Sequence, residues 1–419
     1  MASILPLSAL RPDPRYAARI AAPPYDVVDA EEAREIVRRN PCSFLQVTCP
    51  EFFADRKDPC SALRRAAEKF KDMRERGWFL AESSPACYIY RLSMPGGHVQ
   101  TGWVVGASLD EYAAGAVRKH ELTRSDKENE RARHIEALGA QTGPVLMACR
   151  AHAGLREFTA RCASASAPLY QFTDDKGIEH SLWAVVDQTS LRILQEEFQP
   201  VAALYIADGH HRAAAALRAR ETIAKRHGHA TGSEACHRLL AAIFPHDELQ
   251  VLGYHRLVAD LNGLSAPVFL ERISADFNVQ ESKRFLPENS GDFGLLLDGQ
   301  WYRLTARPET RKREDTVEQL DASVLQDRIL APVLGIRDAR TDVRIDFVGG
   351  LEGLDKLEQR CAKDARAAFT LAPVAMDQLM DVADKQKTMP PKSTWFEPKL
   401  RSGLVVHDLA LPEEAGRLS

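Results

Sequence analysis

Residues 203–217 read Ala-Leu-Tyr-Ile-Ala-Asp-Gly-His-His-Arg-Ala-Ala-Ala-Ala-Leu. The apolar run Leu204–Ile206 is typical of a β-strand, and the alanine-, leucine- and arginine-rich run 213–219 favours a helix. Asp208 and Gly209 lie between them, so the sequence predicts a strand, a tight turn and a helix. Asp208 stands where an N-cap residue belongs, and Gly209 permits close approach of the backbone to a bound group.

The start of this predicted helix concentrates potential cations, because His210, His211 and Arg212 share its first turn. Cations normally favour the opposite end of a helix, whereas the backbone N–H groups of an N-terminus attract anions. The sequence therefore predicts that an anion binds at this turn. One alternative stays open, in which Asp208 only caps the helix and the histidines face solvent.

Composition sets the broad class. The chain has 419 residues, 45% hydrophobic and 27% charged, which is ordinary for a globular protein of two or three domains. With 55 basic and 59 acidic residues the net charge is -4, which argues against broad nucleic-acid binding. The N-terminus lacks the features of a signal peptide, and no apolar run approaches the roughly 20 residues of a membrane span. Scattered cysteines without a C-x-x-C pair indicate reduced thiols, so we expect a cytoplasmic protein without a membrane partner.

Towards the N-terminus, two prolines precede Tyr25 and Asp26 and favour an extended approach. Asp29 is then placed to cap a helix over residues 30–39. Tyr25 and Asp26 lie on the connecting loop, where they either face a site or form a turn.

A hairpin follows, because strand-like runs at 87–92 and 100–108 flank Pro95-Gly-Gly97. Most of the charged run 127–133 is predicted to be the solvated face of a helix. Between these elements, four polar residues close a strand pair and are expected to face a site: Arg118, His120, Glu121 and Thr123.

The pattern of elements predicts two domains. Alternating strands and helices over residues 181–225 indicate a compact α/β unit, with Ser190 available to cap its first helix. A second hairpin over 293–305 indicates a mixed α+β subdomain. We assign residues 1–260 to a core region that carries the central turn, and residues 261–419 to the subdomain and a basic tail.

That tail contains Lys392, Ser393 and Thr394, which resemble the end of a phosphate-binding loop. The glycine-rich loop that would precede such a triplet is missing, so it is not a Walker motif. Lys399 and Arg401 add charge, and the tail is expected to supply phosphate contacts. Trp395 and Phe396 need burial, which argues against a mobile terminus.

Four motifs now stand in one order along the chain: Pro24-Tyr-Asp-Val-Val28, His120-Glu-Leu-Thr123, Ala207-Asp-Gly-His-His-Arg212 and Lys392-Ser-Thr394. Together they resemble a widespread bacterial and archaeal family that has long been labelled a domain of unknown function. Its members are often loosely described as chromosome-partitioning (ParB-like) proteins. The resemblance spans nearly the whole chain, and the box at 207–212 is its most specific part.

The box is also similar to the phosphate-binding turn shared by the ParB nucleotide-binding fold, sulfiredoxin and archaeal free-serine kinases. This resemblance implies an α/β (α+β) fold with a ParB/sulfiredoxin-like nucleotide-binding core and an additional mixed α+β subdomain. Sulfiredoxin carries a reactive cysteine in its turn, but this chain has none there. Partitioning proteins add a helix-turn-helix, which we do not find, so no DNA partner is expected.

The function that the resemblance implies is phosphoryl transfer from ATP or ADP, with Mg²⁺, to a small hydroxylated metabolite, most simply free L-serine giving O-phosphoserine. Such catalysis is mainly positioning and charge neutralisation. Glu121 is the candidate general base, and Asp208 the candidate Mg²⁺ ligand. The expected phosphate-binding residues are Gly209, His210, His211, Arg212, Lys392, Ser393 and Thr394. The expected substrate-binding residues are Tyr25, Asp26, His120 and Thr123. His210 and His211 are expected to assist catalysis by donating to the transferring phosphoryl group.

Two other functions remain open. The same pocket can serve a nucleotide-binding switch or partner-binding module without metabolite turnover. Asp208, His210 and His211 can also be imagined as ligands of a metal hydrolase, although adjacent residues of a helix point apart. The donor nucleotide, the acceptor and the oligomeric state are left open, as is whether the basic tail reaches the central turn.

Overall fold

The computed structural model describes residues 3–54, 59–227, 234–311, 314–351 and 353–409. The chain divides into two compact units. Unit one comprises Met1–Arg118, Leu122–Leu249 and Pro398–Ser419, and unit two comprises Lys119–Glu121 and Gln250–Glu397. The sequence predicts a boundary after residue 260 and a tail that belongs to the second domain, whereas the compact units change at residue 249 and residues from Pro398 onward group with unit one.

The strands are, in chain order, β1 Ile4–Leu5, β2 Ala9–Pro12, β3 Phe79–Ala81, β4 Cys87–Ser93, β5 Val99–Ser108, β6 Val117–Arg118, β7 Ala140–Gln141, β8 Val145–Cys149, β9 Tyr170–Thr173, β10 Glu179–Val185, β11 Leu204–Asp208, β12 Arg238–Pro245, β13 Gln250–Leu252, β14 His255–Val258, β15 Phe277–Ser282, β16 Asp292–Leu297, β17 Gln300–Ala306, β18 Ile345–Val348, β19 Ala367–Leu371, β20 Trp395–Glu397 and β21 Val406–Asp408.

The α-helices are α1 Ala17–Ile20, α2 Ala30–Arg39, α3 Leu45–Thr48, α4 Pro59–Glu75, α5 Leu109–Ala113, α6 Ser125–Leu138, α7 Ala153–Ala165, α8 Gln188–Phe198, α9 His210–His227, α10 Ala266–Ile273, α11 Pro308–Arg311, α12 Asp321–Leu325, α13 Gly353–Lys363 and α14 Met376–Asp384. A π-helical turn, Gln326–Leu330, continues α12. Short 3₁₀ turns lie at Pro50–Phe52, Ala235–His237 and His246–Glu248.

Unit one is built on a mixed sheet that, among the described residues, has nine strands. Their order is β6-β11-β8-β12-β5-β4-β10-β9, with β1 added on β5. β11 runs parallel to β6 and antiparallel to β8, and β12 runs parallel to β8. A smaller sheet of order β3-β2-β21-β7 pairs β21, Val406–Asp408, with β2 near the N-terminus.

The main core of unit one explains the alanines of α9. Leu204 and Ile206 of β11 are fully buried in this core, as is Ala213 of α9. Small side chains let a helix lie close to its neighbours, so the alanine run brings α9 and its first turn against buried residues of the same core. The apolar run and the alanine run of the central stretch therefore both pack into the main core of unit one.

Unit two contains a six-stranded antiparallel sheet of order β15-β17-β16-β19-β14-β18 among its described residues. Apolar side chains of α10 and α12 pack in one cluster with this sheet, and Leu357 of α13 packs in another. A separate ribbon pairs β13 with β20. The predicted hairpin over 293–305 is present as β16 and β17.

The predicted mixed α/β class is confirmed, with several sheets and helices between their strands. Asp29 caps α2 as expected, in a capping box with Glu32. Two local predictions are wrong. Asp187 rather than Ser190 caps α8, since its carboxylate accepts from the Ser190 N–H at 2.8 Å. The run 181–225 is not one compact unit, because β10 and β11 lie in distant parts of the sheet order.

Within the described residues, no helix is both long enough and apolar enough to cross a membrane. The cysteines whose side chains are described are all free thiols, and most of them are buried.

Candidate functional site

The central turn has the predicted strand–turn–helix form, but with a different cap. The pairing of β11 with β8 shifts register between Ile206 and Asp208, so the ladder is irregular at the end of the strand. Gly209 follows with φ 98°, a backbone conformation that disfavours any side chain. α9 begins at His210, and the Ala213 N–H donates to the Gly209 carbonyl at 3.1 Å. The cap position therefore belongs to Gly209, and the prediction that Asp208 caps the helix is wrong.

Freed from capping, the Asp208 carboxylate pairs with two cations. Lys399 Nζ donates to Asp208 Oδ2 at 3.1 Å, and Arg212 Nη2 lies 3.9 Å from Asp208 Oδ1. Burial alone raises the pKa of Asp208, but Lys399 and Arg212 outweigh it and hold that pKa well below its usual range. Asp208 is therefore ionised at neutral pH beside two positive charges.

Arg212 lies against the turn itself. Its Nη1 donates to the carbonyl of Pro144, and its Nε lies 2.9 Å from where a Cβ would stand at position 209. That Nε is buried and has no hydrogen-bond partner among the described residues. Gly209 is thus required twice, by its positive φ and by the close approach of the guanidinium.

The two histidines of the turn are not surface residues, so the alternative in which they face solvent is wrong. His210 is buried, with 4% of its surface exposed. His211 is half-buried, and its Nε2 accepts from the backbone N–H of Arg124 at 3.1 Å. Because Nε2 is the acceptor here, the proton of a neutral His211 ring is on Nδ1.

Lys399 reaches the turn on a segment that is fixed to unit one at several points. Ser402 and Ala22 exchange backbone hydrogen bonds of 3.1 and 2.8 Å, and the Gly403 N–H donates to the Thr142 carbonyl at 3.1 Å. The basic tail therefore does reach the central turn, through Lys399.

A buried polar network anchors the same segment. Arg401 Nη2 donates to the Asp174 carboxylate, and His180 joins Asp174 at 3.0 Å and the Tyr90 hydroxyl at 2.7 Å. Burial raises the pKa of Asp174, but His180 and Arg401 outweigh it and hold the pKa well below its usual range. An ionised, hydrogen-bonded carboxylate thus holds the residue two positions beyond Lys399.

Tyr25 is half-buried beneath the guanidinium of Arg131, whose carbon lies 4.4 Å from the ring centroid. Burial, with the charge of Asp26, raises the pKa of Tyr25 to about 12 against the opposing effect of Arg212 and Arg131. Tyr25 therefore stays protonated at neutral pH and offers a hydroxyl donor. Its neighbour Asp26 is exposed.

Thr123 also belongs to unit one, where its hydroxyl donates to the Glu128 carboxylate. Glu128 is buried and pairs in turn with Arg218 of α9. Within unit one, Thr123 therefore forms part of the contact between the start of α6 and α9. Its predicted role in substrate binding remains a prediction.

The other predicted site residues lie in unit two. The His120 carbonyl accepts from the Met389 N–H at 2.8 Å, which joins the His120–Glu121 segment to the stretch before Lys392. Lys392 Nζ lies 5.6 Å from the centroid of Tyr254, and the Ser393 hydroxyl donates to the Pro390 carbonyl at 2.8 Å. Thr394 follows directly before β20. The predicted catalytic and phosphate-binding roles of these residues remain predictions.

Sequence reasoning missed Arg131, which it assigned to a solvated charged face. The structure buries Arg131 and Glu128, so that prediction is wrong for both. The missing signal was helical spacing, because the buried positions of α6 include 128, 131, 132 and 135. Charge density concealed this periodicity.

The family described as "Protein of unknown function (DUF1015)" matches residues 4–323 of this chain. The chain belongs to this family. The membership agrees with the motifs at 24–28, 120–123 and 207–212, which all lie inside the matched region. No curated protein matches the chain.

Several solved structures show a distant likeness. A "Free serine kinase in complex with AMP" has 12% identity and TM-score 0.35, over 70% of this chain and 86% of that chain. "SbnI with C-terminal truncation from Staphylococcus aureus" has 10% identity and TM-score 0.36, over 71% of this chain and 84% of that chain. A conserved hypothetical protein from Pyrococcus furiosus has 14% identity and TM-score 0.34, over 71% and 92%.

Proposed function

We propose that the chain is a phosphotransferase that moves a phosphoryl group from ATP or ADP to a small hydroxylated metabolite, with L-serine as the first acceptor to test. The observation that carries this proposal is the Asp208–Arg212 turn with Lys399. It combines a glycine of positive φ, a helix N-terminus, an ionised carboxylate and two cations within a few ångströms.

The turn suits a phosphate group for physical reasons. The first backbone N–H groups of a helix have no acceptor within that helix and carry partial positive charge. Gly209 lets a ligand approach those groups closely, and Arg212 keeps a buried Nε–H without a partner among the described residues. Lys399 adds a second cation, held in place by Asp208. Phosphoryl transfer depends on this kind of positioning and charge neutralisation.

Asp208 also fits a role with Mg²⁺. Its Oδ2 accepts from Lys399, while its Oδ1 is 3.9 Å from Arg212, beyond hydrogen-bonding distance. A carboxylate oxygen of an ionised aspartate is a ligand that Mg²⁺ prefers, usually together with phosphate oxygens and water. When bound, Mg²⁺ would neutralise phosphate charge, and Oδ1 of Asp208 is the atom of this turn that would hold it.

The general base remains a hypothesis from the sequence, which assigns that role to Glu121. A positioned base contributes about 10²–10⁴-fold to such a reaction. Glu121→Gln is therefore expected to reduce turnover by that factor and leave nucleotide affinity nearly unchanged. An equal loss of turnover and nucleotide affinity would remove Glu121 from the role of base.

The test is phosphorus NMR of the full chain with Mg²⁺, L-serine and either ATP or ADP. We expect O-phosphoserine to appear with the wild-type protein and to be lost with Asp208→Asn. Asp72→Asn is the matched control, because Asp72 forms an exposed ion pair with Arg76 at 2.6 Å in the same unit. It should keep wild-type turnover.

Other outcomes separate the remaining functions. Nucleotide binding without phosphate transfer to any hydroxylated acceptor would favour a nucleotide-binding switch. Absence of nucleotide binding in the wild-type protein would overturn the proposal. Equal loss of activity in Asp208→Asn and Asp72→Asn would show that the turn has no special role.

A further inference from the structure

Unit one contains a cavity of about 40 Å³ whose wall is largely apolar but also includes Tyr25, Arg131, Thr142, Arg212 and Ser402. Among its described lining residues there are two arginines and no aspartate or glutamate. Arg212 is shared with the turn, but the other four residues are not part of the phosphate site proposed above.

Arg131 lines this cavity although only 6% of its surface is exposed. Its Nη1 donates to the Thr48 carbonyl at 3.0 Å, and its Nη2 contacts the Glu130 carboxylate. The Arg131 Nε is buried and has no hydrogen-bond partner within the described part of the chain. A buried guanidinium that keeps an N–H unused is costly unless a ligand satisfies it.

Arg212 links the cavity to the turn. Its Nε approaches Gly209, while its Nη1 contacts the Pro144 carbonyl and lies 3.9 Å from where a Cβ would stand at Gly143. Gly143 itself lines the cavity. Only the guanidinium of Arg212 would therefore separate a ligand group in the cavity from a phosphate bound at the turn.

The remaining titratable groups of the lining do not cancel these charges. Burial, reinforced by the charge of Arg131, lowers the pKa of His134 to about 4, so this ring is neutral at pH 7. Tyr25, with its pKa raised to about 12, keeps its proton. The outer carboxylates near Arg131, Glu130 and Glu51, each expose 41% of their side chains and do not line the cavity. The charged lining groups are thus the two arginines.

The size of the cavity limits what enters it. A cavity needs a volume of at least about 10–15 Å³ to hold one water molecule. A cavity of about 40 Å³ therefore holds roughly three groups of that size. A carboxylate has three heavy atoms and matches this space, while a nucleoside is far too large.

We propose that this cavity binds a single oxyanion group beside the phosphate turn, through Arg131, Arg212 and the hydroxyls of its lining. The proposal rests on the function proposed above, which it deepens: the acceptor would be a hydroxylated metabolite that also carries a carboxylate. The same chemistry can come from a second source, a phosphate group of the nucleotide, and the experiment separates the two.

The experiment measures binding to the full chain without nucleotide, by calorimetric titration. The probes are L-serine and glycolate, the uncharged amides L-serinamide and glycolamide, and inorganic phosphate. ADP is titrated separately. The variants are Arg131→Lys, which keeps the charge but loses the planar fork, and Thr142→Val, which removes one lining hydroxyl. Arg133→Met is the matched control, because Arg133 is exposed on the same helix. Circular dichroism verifies that each variant is folded.

We expect at least one carboxylate probe to bind at least about tenfold more tightly than its amide, because a hydrogen-bonded charge is lost in the amide. Arg131→Lys should abolish that preference, Thr142→Val should reduce it, and Arg133→Met should preserve it. Weakened binding of phosphate and ADP, with no effect on the carboxylates, would assign the site to a nucleotide phosphate.

Probe affinities that do not depend on Arg131 or Thr142 in folded variants would overturn the proposal. This result is distinct from failure of the proposed function. Arg131-dependent carboxylate binding without any phosphoryl transfer would leave the oxyanion site standing and remove the phosphotransferase. Phosphoryl transfer to serinamide as fast as to serine would leave the phosphotransferase standing and remove the oxyanion site.

Discussion

Two basic stretches lie seven residues apart near the end of the chain, and their surroundings are different. In unit two, Lys392 lies over the ring of Tyr254, and the Ser393 hydroxyl donates to the Pro390 carbonyl. In unit one, Lys399 pairs with the Asp208 carboxylate, and Arg401 with Asp174. The sequence presents both as similar runs of charge and hydroxyl groups.

The difference teaches that the partner of a basic residue decides its chemistry. An aromatic face stabilises a cation through the negative potential of its ring. A carboxylate beside a helix N-terminus fixes a cation next to the partial positive charge of that terminus, and the two together favour an anion. Under the proposed function, the geometry of unit one adds Lys399 as a phosphate-binding residue, while the phosphate-binding role of Lys392 remains a prediction.

The largest expected effect on ADP affinity comes from replacing one of these lysines, Lys399, by methionine, with Lys392→Met as the comparison. Lys399→Met removes the cation on Asp208 and should weaken ADP binding at least about tenfold, since hydrogen bonds to charged groups contribute about 1.5–3 kcal/mol. Lys392→Met should change ADP affinity less than about twofold. Calorimetric titration of ADP to both variants measures the difference, and equal losses of affinity would show that Lys392 binds phosphate as Lys399 does.

The comparison also extends to acid stability. Burial lowers the pKa of His134 in unit one and of His255 in unit two to about 4, with Arg131 and Arg256 adding to the effect. Because these folded-state pKa values lie below the ordinary value of 6.5, the stabilisation is complete above pH 6.5 and is lost as the pH falls towards 4. The contribution of each ring is on the order of 3 kcal/mol.

Hydrogen exchange read by mass spectrometry separates the two units in this experiment. His134→Gln keeps a donor for the Val47 carbonyl, which His134 Nε2 contacts at 2.7 Å. We expect this variant to lose less protection than the wild-type protein between pH 6.5 and 4 in unit one, with unit two unchanged. The same pH dependence in both proteins would contradict the assignment.

The smallest expected effects on ADP affinity concern two glycines, which exclude a side chain for different reasons. Gly209→Ala places a side chain at φ 98° against Arg212, at a cost of about 1–2 kcal/mol, and should also weaken ADP binding. Gly349→Ala in unit two would overlap the Trp395 ring and cost about 1–3 kcal/mol, with ADP affinity unchanged. Thermal unfolding and ADP titration of both variants test this. Loss of ADP affinity in Gly349→Ala alone would contradict the comparison.

Much of the fold could be predicted from local pattern. The β11–α9 junction, the hairpin of β4 and β5 and the cap at Asp29 all follow from periodicity, turn residues and capping chemistry. The order of strands in the sheet could not be predicted in this way. The residue pattern of β10 and of β11 shows that each is a strand, but it does not show which strands pair with them.

The candidate site was predicted in part. Asp208 to Arg212 could be identified because unusual chemistry is compressed into one turn. The pairing of Lys399 with Asp208 spans 191 residues of sequence, and no local pattern records such a contact. Arg131 was missed for a different reason, since its charge suggested exposure although its helical spacing indicated burial.

The central claim is that the turn at Gly209 binds a nucleotide phosphate. The most direct test is to compare the affinities of the wild-type protein for ligands with an increasing number of phosphates. Adenosine, AMP, ADP and ATP are titrated in the presence of Mg²⁺, at low and at high salt. The account predicts that affinity rises with the phosphates, by at least about tenfold from adenosine to ADP, and that salt weakens the gain. Equal affinity for adenosine and ADP, or no binding of any member, would contradict it.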